Sequence, residues 1–429
     1  MERLETGKVI DCEDGAGSVK ILQYLAEGGQ GCVYKVLYNG EEKALKWYKP
    51  NTIKNEDWFK KNLMKNINAG APANSFLWPL AMTEKYKGSF GYVMDLRPEG
   101  YYDFSKYLLC RGTDFKSVDA MINAAINIVD GFRNLHNEGY SYQDLNDGNF
   151  FIHPETGDVL ICDNDNVAPY GENSGIAGKC RYMAPAVVMG RKLPEKRTDE
   201  FSLAVILFLL LIRNHPLEGQ LVNSKAVLTE QYQRLYYGEK PVFIADPEDA
   251  SNRPVIGIHN NFMKRWPLMP SYIQEAFIKA FSKEVMTEDK LGITEKEWLK
   301  LLLRFKAEVN ICPECGNETR FTDELYKCAC CGKDINCFGY LETSGYKIPM
   351  FSKKELPLAY VSCEYSHGEC RIPCIRISLN KTRTKCAIQN KGQITWSCGG
   401  EKSAPGEQII AEDGQEIKID ENIVKISLN

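Results

Sequence analysis

Between Leu25 and Asp165 four short polar stations, each beside an apolar run, recur at intervals that leave the intervening chain little freedom. The first is Leu25-Ala-Glu-Gly28-Gly-Gln-Gly31-Cys-Val33. Its glycines let the backbone approach phosphate oxygens closely and offer them N–H donors. Alone, this run fits a β-hairpin turn equally well. Thirteen residues after Val33, Lys46 closes the strand-like Lys43-Ala44-Leu45-Lys46. Tyr142-Gln143-Asp144-Leu145-Asn146-Asp147-Gly148-Asn149 sets Asp144 and Asn149 in an Asp-x4-Asn spacing. Fourteen residues beyond Asn149, the apolar run 159–162 ends at Asp163-Asn164-Asp165. Taken singly, Lys46 reads as a solvated surface lysine, Asp144 and Asn149 as turn residues, and Asp163 as a strand terminator.

Two further segments complete the series: Gly178-Lys-Cys-Arg181-Tyr-Met-Ala184-Pro185-Ala186, and Asp199 just ahead of the apolar run that starts at Phe201. Six features in this order and at these intervals are poorly explained by chance. Over about residues 15–306 the chain resembles the eukaryotic-like protein-kinase family, and Phe76-Leu-Trp-Pro-Leu80 with the cysteine tract downstream is more similar to its bacterial members. The resemblance implies an α+β, bilobal kinase fold, with an N-lobe over about 15–96 and a C-lobe over about 97–306. It implies Mg-dependent transfer of the γ-phosphoryl group of ATP to a protein hydroxyl, with Ser/Thr as the expected acceptor. By matching motif position, Lys46 would hold the α/β-phosphates below the Gly28–Gly31 loop, Asn149 and Asp163 would coordinate Mg²⁺, and Asp144 would accept the hydroxyl proton. Asp163 is preferred to Asp165 as the ligand because it directly follows the apolar strand. Leu25, Val33, Ala44, Phe151 and Cys162 would enclose the adenine, with Met94 as gatekeeper and Asp95-Leu96 as hinge backbone.

The departures are as informative. Ala26 stands where the family's first loop glycine falls. The helix after Lys46 aligns as Phe59-Lys-Lys-Asn62-Leu, which puts Asn62 at the place of the glutamate that pairs the lysine. An amide cannot neutralise an ammonium. Lys46 is therefore expected either to be unpaired, with burial depressing its pKa, or to find another carboxylate; Glu56 and Asp57 lie a turn or more too early. Gln143 replaces the arginine that receives an activation-loop phosphate. Asn146 stands where Ser/Thr kinases carry lysine, and Lys179 where they carry threonine, which blurs the Ser/Thr-versus-Tyr distinction. Ala186 lacks the carboxylate that in the family meets a buried arginine, whose place is taken by Gly292. Losing one partner would strand a buried charge at ~3–5 kcal/mol, so losing both predicts a repacked lobe. The alternative to an active kinase is a pseudokinase, a nucleotide-binding scaffold that recruits partners through its C-terminal modules. A small-molecule kinase of the aminoglycoside type is disfavoured by Arg181-Tyr-Met-Ala-Pro185.

The cysteines divide the chain. Five lie in the first 311 residues and eleven between Cys312 and Cys398. Cys312-Pro-Glu-Cys315 and Cys328-Ala-Cys-Cys331 form C-x2-C-x12-C-x2-C, the spacing of two knuckles that present four thiolates to a structural Zn²⁺. This predicts a zinc ribbon over 309–340, with Cys330 and Cys337 spare. Cys363, His367, Cys370 and Cys374 are read as core and turn residues in preference to a second metal site. Short β-type runs at 358–362, 374–378, 393–397, 416–419 and 423–427 predict a β-sandwich-like domain over 344–429, suited to binding a regulatory partner. Net charge is −4 and the pI about 5.9, without the basic footprint of a nucleic-acid binder. The longest apolar run, 201–212, falls short of the ~20 residues a bilayer span needs and predicts a buried helix. No apolar segment follows the first charges, so neither a secretory leader nor a membrane partner is expected, and the expected location is cytoplasmic.

Overall fold

The computed structural model describes residues 3–112, 114–172, 178–288, 290–365 and 368–429. The chain divides into two compact units, Met1–Asp114 with Gly131–Ile293, and Phe115–Asp130 with Thr294–Asn429.

In the first unit, strands β1 (Val9–Asp11), β2 (Ser18–Glu27), β3 (Gly31–Tyr38), β4 (Glu41–Tyr48), β5 (Pro79–Met82) and β6 (Gly91–Asp95) form an antiparallel sheet ordered β1-β2-β3-β4-β6-β5. The two-residue period of β4 sends Leu45 and Trp47 into one apolar cluster and Ala44 and Tyr48 into another, on the opposite face. Lys46 shares the second face. Register sets Lys46 opposite Tyr92 and Ala44 opposite Met94. Helix α1 (Glu56–Ala69) starts at Asn55, whose side chain accepts from Trp58 N, and stops at Gly70 with φ 78°. Its buried face is Phe59, Asn62, Leu63 and Asn66, at the i, i+3, i+4, i+7 spacing of one helical stripe.

Two small antiparallel pairs carry the polar stations. Tyr140–Tyr142 pairs with Val167–Pro169, and Phe150–Ile152 pairs with Val159–Ile161. The apolar run at 201 lies in the Lys196–Ile212 helix, buried at every residue from Thr198 onward and opened by a Glu195/Thr198 capping box. No described helix is long and apolar enough to cross a membrane. Ala186 and Gly292, where the resemblance led to an expectation of repacking, both line a cavity of about 240 Å³ with Phe201, Val285 and Met286.

In the second unit the Glu295–Glu308 helix opens with a capping box, Thr294 and Glu297 bonding reciprocally. Beyond the Cys312–Cys331 tract lie two antiparallel sheets. One orders Lys347–Pro349, Gly339–Glu342, Asn422–Leu428, Glu416–Ile419, Trp396–Cys398 and Glu401–Ser403; the other orders Lys354–Pro357, Pro373–Leu379, Cys386–Asn390 and Gln408–Ile410. Two of the expected strands differ. Residues 358–362 form a helical turn (Ala359–Ser362), because three consecutive residues, Ala359, Tyr360 and Val361, are buried, a pattern that the alternation of a half-buried strand does not deliver. The 393–397 run becomes a strand only at Trp396, since Asn390 Nδ2 holds Ile394 O in a turn at 2.9 Å.

Candidate active site

The first unit gathers the stations of the sequence into one cleft. Lys46 Nζ lies 3.2 Å from Asp163 Oδ1 and 2.9 Å from each oxygen of Asp165. Its fourth acceptor is Gln30 Oε1 of the glycine loop, at 3.3 Å. Burial works against the ammonium, but the charges of Asp163 and Asp165 and their hydrogen bonds outweigh it and hold the lysine above its ordinary value. The unpaired, acidified lysine is therefore corrected: the other carboxylate exists, and it is Asp165. Asn62 does not face the lysine. Its Nδ2 donates to Val167 O at 2.8 Å, and Asn66 Nδ2 donates to the same carbonyl at 3.0 Å.

Asp163 has φ 58°, a left-handed conformation that the short polar side chain of Asp tolerates better than most. The turn after it is pinned on three sides. Asn164 Nδ2 donates to Leu77 O and Ile161 O at 2.8 and 2.9 Å, Asn166 N to Asp163 O at 3.1 Å, and Gln143 N to Asn166 O at 3.1 Å. With the turn so fixed, the Asp163 side chain is 40% exposed while that of Asp165 is wholly buried.

Beside this turn, where Cys162 N donates to Asn149 O at 2.9 Å, Asn149 Nδ2 donates to Tyr142 OH at 2.9 Å and to Asp144 O at 2.8 Å. This commits the amide nitrogen. Tyr142 ties the loop down: its hydroxyl donates to Cys162 O, and its backbone N–H to Asp199 Oδ2 at 2.6 Å, an oxygen shared with His136 Nε2 at 3.0 Å. Asp144 Oδ1 is buried and has no hydrogen-bond partner among the described residues. Burial raises the Asp144 pKa to about 6, against the lowering influence of Lys179 and Asn146.

Of the expected adenine-enclosing residues, Val33, Ala44, Met94, Leu96, Phe151 and Cys162 share a single apolar cluster. Leu25 is outside it and 42% exposed. Asp95 turns its side chain to Lys43 Nζ at 2.8 Å, leaving its backbone to the hinge. The glycine loop closes with Gly28 N on Gly31 O at 2.8 Å, and a Cβ on Gly31 would stand 2.3 Å from Trp47 O. The sequence reading missed Tyr48, Tyr92 and Asp165 as a unit. Period two places Tyr48 on the face of Lys46, so one of the three was readable from spacing.

A family model described as protein kinase domain matches residues 19–265, more than half of the chain. The chain belongs to the protein kinase family. Among curated relatives, the kinase resembles the probable serine/threonine-protein kinase gdt4 of Dictyostelium discoideum, 27% identical over 204 residues. That match spans 45% of this kinase and only 12% of the relative's length. Among solved structures it is similar to the Mycobacterium tuberculosis PknI kinase domain, at 16% identity and TM-score 0.45, over 70% of this chain and 98% of that one. A single-substitution mutant of the same domain gives 16% identity and TM-score 0.46, with the same coverage.

In the second unit the four cysteines of the C-x2-C-x12-C-x2-C spacing come together, their sulfurs all within 4.8 Å of one another. The two halves repeat one geometry. Gly316 N donates to Cys312 O and Gly332 N to Cys328 O, both at 2.9 Å, with the glycines at φ 75° and 70°. Glu314 N and Cys330 N approach the Cys312 and Cys328 sulfurs, both at 3.4 Å. No other such group occurs among the described residues. Cys374 and Cys370 are buried; His367 lies outside the described residues.

Proposed function

We infer that this kinase transfers the γ-phosphoryl group of ATP to a protein hydroxyl, with Ser/Thr as the favoured acceptor. The observation that carries the reading is Asp144 Oδ1, a buried carboxylate oxygen without a described partner, on a loop that also fixes Asn149. In this mechanism Asp144 takes the proton of the acceptor hydroxyl as the oxygen attacks. Lys46 holds the nucleotide phosphates with an ammonium kept charged by its two aspartates. Asn149 and Asp163, on segments bonded to each other through Cys162 and Tyr142, would offer hard oxygen atoms, which suits Mg²⁺; when bound, the ion neutralises charge on the phosphates. The cluster of Val33, Ala44, Met94, Leu96, Phe151 and Cys162 supplies an apolar slot for the base and keeps water from it.

For the second unit, the reading is a zinc ribbon with one structural Zn²⁺ on Cys312, Cys315, Cys328 and Cys331. The donor set fits. Cys312–Cys331 and Cys315–Cys328 sulfurs lie 3.9 and 3.7 Å apart, against about 3.8 Å for the edge of a thiolate tetrahedron with ~2.3 Å bonds. Four thiolates leave no open position, so this site carries no catalysis.

The deciding experiment incubates the full chain with Mg²⁺, γ-labelled ATP and a generic protein acceptor, beside Asp144→Asn. Label on Ser or Thr that Asp144→Asn abolishes supports the reading. An inert parent that still binds nucleotide would establish the pseudokinase instead.

A further inference from the structure

Of the two carboxylates on Lys46, Asp165 is the one that takes no part in the proposed metal site. Its side chain has no exposure, and both of its oxygens are spoken for. Oδ1 accepts from Lys46 Nζ at 2.9 Å and Tyr92 OH at 3.2 Å; Oδ2 accepts from Lys46 Nζ at 2.9 Å and Tyr48 OH at 2.7 Å. A carboxylate withdrawn from water is tolerated only when it is paired and fully hydrogen-bonded, and this one is both. The tyrosines come from β4 and β6, so two strands hold the carboxylate in place before it holds the lysine.

Helix α1 supplies no charge to this arrangement. Its buried polar residues, Asn62 and Asn66, bind Val167 O, two residues beyond Asp165. Glu56, at the start of the helix, pairs with Lys85 at 2.6 Å. The helix thus braces the turn that bears the carboxylate and leaves the ammonium alone.

We propose that Asp165 is the positioning residue for Lys46, fixing the ammonium for the nucleotide phosphates from the 163–167 turn instead of from helix α1. The assignment rests on the kinase reading above. The contacts of Lys46 are graded in the way this role requires. The two bonds to Asp165 are the short ones, buried and distal to the opening; those to Asp163 and Gln30 are longer, at 3.2 and 3.3 Å. A phosphate oxygen can displace the longer pair and leave the Asp165 pair intact. Asp165 itself is closed to metal, because three donors occupy its oxygens. One turn therefore carries both carboxylates, the exposed Asp163 and the buried Asp165, and a movement of that turn withdraws them together.

The test compares the full chain with its Asp165→Asn variant, which keeps the size of the side chain and removes its charge. Steady-state kinetics with varied ATP should show kcat/KM reduced at least tenfold while the variant stays folded. A folded variant within threefold of the parent in both kcat and KM for ATP overturns the proposal. A solely structural Asp165 would lower the melting temperature and leave KM for ATP untouched. Should Asp165→Asn not fold, Tyr48→Phe and Tyr92→Phe decide: each removes one hydroxyl that holds the Asp165 carboxylate and changes no charge. Both folded variants should raise KM for ATP at least threefold, and a parent-like KM in both overturns the assignment. ATP affinity measured by titration calorimetry separates the two ideas. A parent that transfers no phosphate defeats the kinase reading, yet its loss of ATP affinity in these variants still reports whether Asp165 positions Lys46.

Discussion

Lys179 Nζ donates to Asn146 Oδ1 at 2.8 Å, so the ammonium and the neutral polar group beside the proton acceptor have exchanged the positions expected of the family. Lys46 is engaged elsewhere, and Lys179 is the cation with the largest lowering influence on Asp144. The exchange keeps a positive charge near the reacting oxygen while bringing it from the other segment.

This sets a pH dependence. With its pKa raised to about 6, Asp144 is ionised above that pH and protonated below it, and only the ionised form accepts a proton. The rate should fall about tenfold per pH unit below about pH 6 and level off above. Lys179→Ala removes a lowering influence, so the acid limb should move to higher pH. A limb that stays put in a pH–rate profile of kcat/KM would show that Lys179 does not act on Asp144.

Asp163→Asn removes the exposed carboxylate of the turn and leaves the buried one paired with Lys46. The variant should fold normally and lose Mg²⁺-dependent ATP turnover by at least a hundredfold. Residual turnover restored by Mn²⁺ would still place the metal here; full turnover at ordinary Mg²⁺ would move the site away from Asp163.

Restoring the family's glutamate at position 62 should harm this protein. Asn62→Glu would press a carboxylate against Val167 O and remove a donor from that carbonyl. Asn66 Nδ2 keeps that carbonyl partnered, so the cost is that of a buried carboxylate facing an acceptor, ~1–3 kcal/mol or more. Urea denaturation should show a loss in that range, with no gain in rate.

Gly292 has no backbone need for glycine: an added Cβ would meet only Val285 Cγ1, at 3.5 Å, beside the cavity. Gly292→Ala should stabilise by ~0.4–1 kcal/mol, chiefly through the unfolded chain. Gly31→Ala should do the reverse, since its Cβ would stand 2.3 Å from Trp47 O. Thermal melts of the two variants should move in opposite directions.

Elemental analysis of unchelated protein should return one zinc per chain. Metal removal, or Cys312→Ser, should release amide protection locally across 309–340, because knuckle folding and metal binding are one event. Protein that carries no zinc and keeps that protection would exclude the ribbon.

That Lys46 meets Asp163, and that Asn149 is tied to the Asp144 loop, was legible from the order and spacing of motifs shared with the kinase family. The four cysteines were legible from their own spacing. Asp165 as the lysine's partner was not, since the two are 119 residues apart and no local rule relates them. Asn62 came from alignment with the family's glutamate, and an alignment gives a position and not the atom its side chain meets, here Val167 O. The turn at Ala359–Ser362 escaped because a short apolar run reads alike as strand or helix until its neighbours choose.

The cavity beside Ala186 and Gly292 also selects charge by sign. Arg191, Lys192, Arg197 and Lys290 line it, against one carboxylate, Glu200. An acidic side chain at 186 would meet cations already in place, whereas an arginine at 292 would meet their repulsion. Single substitutions at the two positions are therefore not equivalent: the lobe accepts a negative charge more readily than a positive one.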